Sequence, residues 1–155
     1  MKLSEKRKTI KLLEKLRVRN YKSAFIYKIR YQKEKRVIIK NFYHRLFIQK
    51  NEFHEELDEM IEQIKKEISP IPDRKLLAFY KRRKCDVSHL YLKYKMNQSY
   101  QDVYKRELKS FKKYGDYLSR INHGCARAIL LDHKHKIKRK VAEMNKTGLI
   151  KYPAL

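Results

Sequence analysis

Six cationic clusters, "EKRK", "RVR", "KEKR", "KRRK", "KK" and "KIKRK", recur along the chain. A lysine offers a phosphate a point charge, and an arginine adds a planar two-pronged contact. Each cluster flanks apolar residues, so a scaffold presents the charge instead of leaving it on a loose tail. A solvated face accounts for one or two such clusters; six spread from end to end point to a polyanion. The totals agree: 41 Lys and Arg against 17 Asp and Glu give a net charge of +24. That charge repels itself in any compact state, and nucleic acid is the densest partner able to neutralise it.

Other chemistries find little footing. Phosphate-binding glycine loops, a nucleophile elbow and an H-E-x-x-H zinc motif are all missing from the sequence. Cys125 has His123 two residues away, but a nucleophile also needs a third group to orient its base. Cys85 and Cys125 stand singly, which argues against a disulfide framework or a structural zinc. His133 and His135 fall on different helical faces among lysines and read as solvated or RNA-facing. The expectation is therefore a non-enzyme with no metal, no cofactor and no small-molecule substrate. No apolar run reaches the 18 or so residues of a membrane span. Glu5 and Glu14 in the basic amphipathic start are unlike a transit peptide, so the chain reads as mature from residue 1.

Three glycines and three prolines leave little punctuation, and the twelve tyrosines and six phenylalanines can fill a core or stack on bases. The expected fold is mainly α: an extended helical protein with a small core, irregular basic segments and no sizeable sheet. A single chain, 1–155, divides by charge into three. Residues 1–50 form a basic helical arm, net +14; residues 51–69 an acidic amphipathic helix, net −5; residues 70–155 a basic helical part, net +15. Phe53, Leu57, Met60, Ile61, Ile64 and Ile68 form one apolar stripe. The stripes Ile38, Phe42, Leu46 and Ile39, Tyr43, Phe47 just before it offer a match to pack against. "SPIPD" ends the acidic helix. Short helices are expected over 74–84 and 87–96, and another from Ser99 through Lys113, which Gly115 can stop. A last helix runs from Ala126 to Met144, with Gly148 closing it. A helix-turn-helix can be drawn through "SYQDVYKRELKSFKKYGDYLSRIN", with Leu118–Asn122 entering a recognition helix, although its connection lacks the usual glycine.

"KKYGDYLSRI" resembles the Lys-x-Phe-Gly-Leu-Ser-Arg-Ile signature of the universal small-subunit ribosomal protein fourteen family, with two residues added after the glycine. In the same order, "MKLSEKRKTIKLLEKLRVRNYKSAFI" resembles that family's opening helix. "IEQIKKEISPIPD" with "YKRRKC" resembles its apolar helix, proline stop and Arg-Asn-Arg-Cys, and "TGLIKYPAL" resembles its closing segment. The family's Thr-Gly-Arg-Pro-Arg-Gly after the cysteine is replaced by "DVSHLYLKY", and insertions fall before residue 51, at 86–111 and at 123–140. Without paired cysteines the chain is similar to the zinc-free branch. A second, local match joins "RVIIKNFYHRL" and "NEFH" to the start of the eukaryotic small-subunit protein seventeen-e.

The first resemblance implies a structural constituent of a small ribosomal subunit, binding and stabilising ribosomal RNA in its head beside neighbouring small-subunit proteins. For a member of that family, a Lys-, Tyr- and Ile-rich chain with insertions and no targeting peptide implies a mitochondrial ribosome in the matrix, with a cytoplasmic ribosome as the alternative. The expected RNA contacts are Lys6, Arg7 and Lys8; Arg17, Arg19 and Lys22; Arg82, Arg83 and Lys84. Towards the C-terminus they are Lys112 and Lys113, Arg120 and Arg127, then Lys138, Arg139 and Lys140. Arg120 would be positioned by Leu118 and Ile121 packing inward. Two other readings stay open: the helix-turn-helix DNA-binding protein, and a basic accessory subunit of a mitochondrial membrane complex. "LLAFYKRRK" resembles the leucine-tyrosine-arginine motif of such adaptors, and a basic amphipathic surface suits anionic lipid.

Overall fold

The computed structural model describes residues 2–69 and 100–147, and within them the chain is helix joined by short turns. Four helices appear: α1 (Leu3–Lys33), α2 (Val37–Ile68), α3 (Tyr100–Arg120) and α4 (Gly124–Thr147). The mainly α class is as expected, with no strand among the described residues. The expected helices over 74–84 and 87–96, the Pro70 and Pro72 stop and the Gly148 closure lie outside the described residues.

No glycine or proline occurs before Pro70, so the break between α1 and α2 needs another cause. Glu34 supplies it. Its Oε1 accepts from the backbone N–H of Arg36 at 3.2 Å and from its Nε at 2.8 Å, while Oε2 accepts from the same guanidinium at 3.2 Å. That grip lowers the Glu34 carboxyl below its ordinary pKa, with the Arg36 hydrogen bond the largest cause. It holds Glu34 and Arg36 in extended backbone, at ψ 126° and 115°. Side-chain competition for the backbone thus ends one helix and starts the next.

The charge boundary at residue 51 falls inside α2, which runs through it unbroken. Ile39, Phe42, Tyr43, Leu46, Lys50, Phe53, Leu57, Met60, Ile61 and Ile64 form one buried stripe on that helix. The two halves of the stripe therefore do not pack on each other, as the sequence suggested; residues of one straight helix cannot fold back on themselves. They pack on α1, and Ile38 points outward, 80% exposed.

Gly115 does not stop α3. The helix continues to Arg120 because Tyr114 and Leu118 are buried on either side of it, and this packing outweighs the cost of about 1 kcal/mol for an interior glycine. A Cβ at Gly115 would come within 3.3 Å of Lys134 Nζ on α4. A continuous helix over 100–120 also leaves no turn for the helix-turn-helix drawn there. The chain reverses at 121–123 instead. His123 caps α4: its carbonyl takes the first helical bond from Arg127, and its Nδ1 accepts the N–H of Ala126 at 3.2 Å. Arg127 reaches back to donate to the carbonyls of Leu118 and Ile121, two of the acceptors α3 leaves open.

Two apolar clusters take residues from all four helices. The first joins Leu13 and Leu16 to Leu57, Ile61, Leu118, Ala126 and Leu130. The second joins Ile26 and Tyr27 to Phe42, Leu46, Val103 and Met144. Early α1 and α4 thus meet late α2 and α3, so α1 and α4 run one way and α2 and α3 the other. Ser69 and Tyr100 consequently sit at opposite ends of the bundle. The backbones of α1 and α2, of α3 and α4, and of α2 and α4 approach closely; α1 and α3 are joined by long polar side chains.

Candidate nucleic-acid interface

A polar layer separates the two apolar clusters. Asn20 Nδ2 (α1) donates to Tyr114 Oη (α3) at 2.9 Å, and Tyr114 lies 2.9 Å from His133 Nδ1 (α4). His133 Nε2 is 3.1 Å from Glu56 Oε2 (α2). Because Asn20 donates, the tyrosine proton goes to His133 Nδ1, so Nε2 carries the ring proton and donates it to Glu56. One directional chain thus uses a residue from every helix. His133, expected in solvent or on RNA, is a core residue: its ring is wholly buried and stacks on Phe53 at 3.9 Å between centroids. Burial pushes its pKa down to about 3, so it stays neutral. His135 is exposed.

Glu56, Asp132 and His133 bring ligand atoms within 4.8 Å of one another, the one group among the described residues able to hold a metal ion. In the hydrogen-bonded arrangement Nε2 carries a proton and Asp132 holds Lys136 at 3.0 Å. His123, near Cys125 in sequence, has Nδ1 on Ala126 and Nε2 3.0 Å from Glu67. Neither nitrogen is directed to the exposed Cys125 thiol.

The same layer reaches the surface between α1 and α3 as a seam of cations. Arg19 donates through Nε to Ser110 Oγ at 2.9 Å and through Nη2 to the Arg106 carbonyl at 3.2 Å. Arg106 answers by donating to Ser23 Oγ at 2.9 Å. Lys113 sits against them: partial loss of solvent, then the positive charges of Arg19, Arg106, Lys109 and Lys15, hold its ammonium below its ordinary pKa. Burial, then Arg106, lowers Arg19 in the same way. The acids next to them in sequence have other cations as partners, Asp116 lying 3.5 Å from Arg120. Glu14 pairs with Arg17 at 3.1 Å, and Glu107 pairs with buried Lys50 at 2.8 Å. Five like charges are therefore gathered; the Glu107 carboxylate offsets part of the charge on Arg19, and the remaining positive potential attracts anions.

The sequence-predicted contacts divide accordingly. Arg17 is buried, bonded to Glu14 and within 3.3 Å of His54. Arg19 and Arg127 are helix clamps, the latter tying off α3. Lys6 pairs with Glu67 at 3.7 Å, and Lys140 with Glu143 at 3.5 Å. Arg120 is exposed, 3.5 Å from Asp116 and over the Tyr117 ring. Lys22 is half-buried, while Arg7, Lys8, Lys112, Lys113, Lys138 and Arg139 are exposed. Arg82, Arg83 and Lys84 lie outside the described residues. Sequence reasoning missed Lys15, Lys109 and Arg106. Helical phase could have found the lysines, since Lys8, Lys15 and Lys22 share a face of α1, as Lys105, Lys109 and Lys112 do of α3.

The described tyrosines and phenylalanines divide between the interior and its rim. Tyr27, Tyr43, Tyr100, Tyr114, Phe42 and Phe53 are buried; Phe25, Tyr31, Phe47, Tyr104, Phe111 and Tyr117 are half-buried, and among the described tyrosines and phenylalanines only Tyr21 is exposed. A stacked base would gain roughly 1–3 kcal/mol on an open face, and Tyr21 is the one such residue fully exposed among the described tyrosines and phenylalanines.

No family model, curated protein or solved structure matches the chain.

Proposed function

We propose that this chain is a structural RNA-binding protein. The observation that carries the reading is the seam at Lys113, where five cations lie together with their nearest acids turned to other partners. Phosphates relieve that repulsion and release counterions, so affinity comes with a steep salt dependence. The finer reading is a constituent of a mitochondrial small ribosomal subunit, contacting ribosomal RNA and neighbouring subunit proteins in the matrix. It rests on the sequence resemblance. The four-helix core makes the protein a preformed body that docks on RNA.

Sucrose-gradient sedimentation of the tagged protein tests both levels. Co-migration with small ribosomal subunits that survives detergent and is lost on ribonuclease treatment is expected. A position in the gradient indifferent to ribonuclease would remove the RNA reading.

One observation favours a second reading, the accessory subunit of a membrane complex. Val37 and Ile38, 69% and 80% exposed, stand beside exposed Lys35, Arg36 and Lys40. Such a tip suits an anionic lipid surface. No helix among the described residues is long and apolar enough to cross a membrane. Detergent-sensitive flotation with membranes would select this reading.

A further inference from the structure

We infer that the α1/α3 seam binds the phosphate backbone of double-helical RNA in preference to single strands; this rests on the RNA-binding reading and names the form of RNA.

The charges sit on two rigid, oppositely directed rods. Lys8, Lys15 and Lys22 recur at seven-residue steps along α1, and Lys105, Lys109 and Lys112 at four and three along α3. Crossed bonds from Arg19 to Ser110 and from Arg106 to Ser23 lock the rods together. A flexible strand must be ordered to follow fixed charges, whereas a duplex arrives with its phosphates already in place.

The usual compensation for single strands is stacking on aromatic side chains, and here three of the rings that reach the surface already have a partner. Tyr21 is turned toward His54 on α2, at 5.5 Å between centroids. The Tyr117 ring carries the Arg120 guanidinium at 5.8 Å, and the Phe111 ring carries the Lys134 ammonium at 5.0 Å. The seam's small polar groups are committed as well. Ser23 and Ser110 accept from arginines, and Asn20 donates to Leu16 and Tyr114. What remains to meet a ligand is mainly positive charge, with exposed Asp116 on the α3 face of Lys109 and Lys112, and such charge reads backbone and shape and not base edges.

The test is fluorescence anisotropy on the full chain, with an RNA duplex of roughly 20 base pairs and an oligouridine of equal length. At about 150 mM salt, the duplex should bind roughly tenfold tighter, and shuffling its sequence should change little. The triple variant K15E/K109E/K113E should weaken duplex binding by roughly tenfold or more. A charge-matched control, K28E/K66E/K146E, uses exposed lysines outside the seam and the six clusters and should bind like the parent chain, with circular dichroism showing both folded. Equal losses from the two triple variants would overturn the placement. Oligouridine binding as tightly as the duplex would overturn the inference and leave the RNA reading standing. Binding of neither would remove both.

Discussion

Lys50 Nζ and Glu107 Oε1 lie 2.8 Å apart at the centre of the bundle, and neither side chain is exposed at all. Tyr27 donates to the other carboxylate oxygen at 2.8 Å, so α1, α2 and α3 meet on one acid. Burial holds Lys50 below its ordinary pKa, and Glu107 pulls it back. Removing the acid strands a buried ammonium. Glu107→Gln should cost about 3–5 kcal/mol, measured as a fall in the urea midpoint. The double change Lys50→Met with Glu107→Leu should recover most of that loss. A Glu107→Gln protein unfolding at the parent midpoint would show the pair to be dispensable.

His133 makes stability depend on pH. Its folded pKa of about 3 lies below the ordinary value of 6.5, burial being the largest cause. Below pH 6.5 the unfolded chain takes up a proton that the folded chain refuses. The contribution is therefore whole above pH 6.5 and lost as pH falls towards 3, with a slope of at most about 1.4 kcal/mol per unit. Asp132 favours the charged ring, and Lys50 and Lys136 oppose it. Glu56 contributes with the opposite sign, because burial raises its pKa and its share fades as pH rises. Urea midpoints at several pH values should fall on acidification in the parent and flatten in His133→Gln. Parallel profiles would exclude His133 as the cause.

Arg127 closes the C-terminus of α3 by donating to Leu118 and Ile121. Arg127→Ala leaves both carbonyls without that donor, at about 1–3 kcal/mol. Lysine should rescue poorly, since one ammonium replaces a fork shaped to span two acceptors. Thermal unfolding of the three proteins decides it, and full rescue by lysine would reduce the role to charge alone.

Arg106 should serve folding and binding together, and Arg120 binding alone. Arg106→Ala removes the bond to Ser23 and loosens the α1/α3 seam, so it should lower stability by about 1 kcal/mol. Arg120 is exposed and its Asp116 contact is long, 3.5 Å. Arg120→Ala should leave stability within about 0.5 kcal/mol while weakening RNA association. A loss of stability from Arg120→Ala equal to that from Arg106→Ala would remove the distinction.

The apolar stripe of α2 was legible because its residues recur at helical steps, and the start of α4 was legible to within two residues. The α1/α2 turn was not, for it depends on a glutamate gripping its neighbour in a stretch free of glycine and proline. The glycine at 115 misled for the opposite reason: a local preference near 1 kcal/mol yields to the burial of Tyr114 and Leu118.

Composition and periodicity alone determined a helical protein with a large excess of positive charge, since both are properties of the chain in order. Which cations remain for a partner was decided only by the tertiary structure. Arg17 is closed off by Glu14 and His54, whereas Lys15, two residues away, stays exposed beside Lys113. The same holds for His133, whose neutrality depends on Tyr114, Phe53 and Glu56 closing around it. A side chain's charge, exposure and partner depend on groups brought from distant parts of the chain, and local sequence does not contain them.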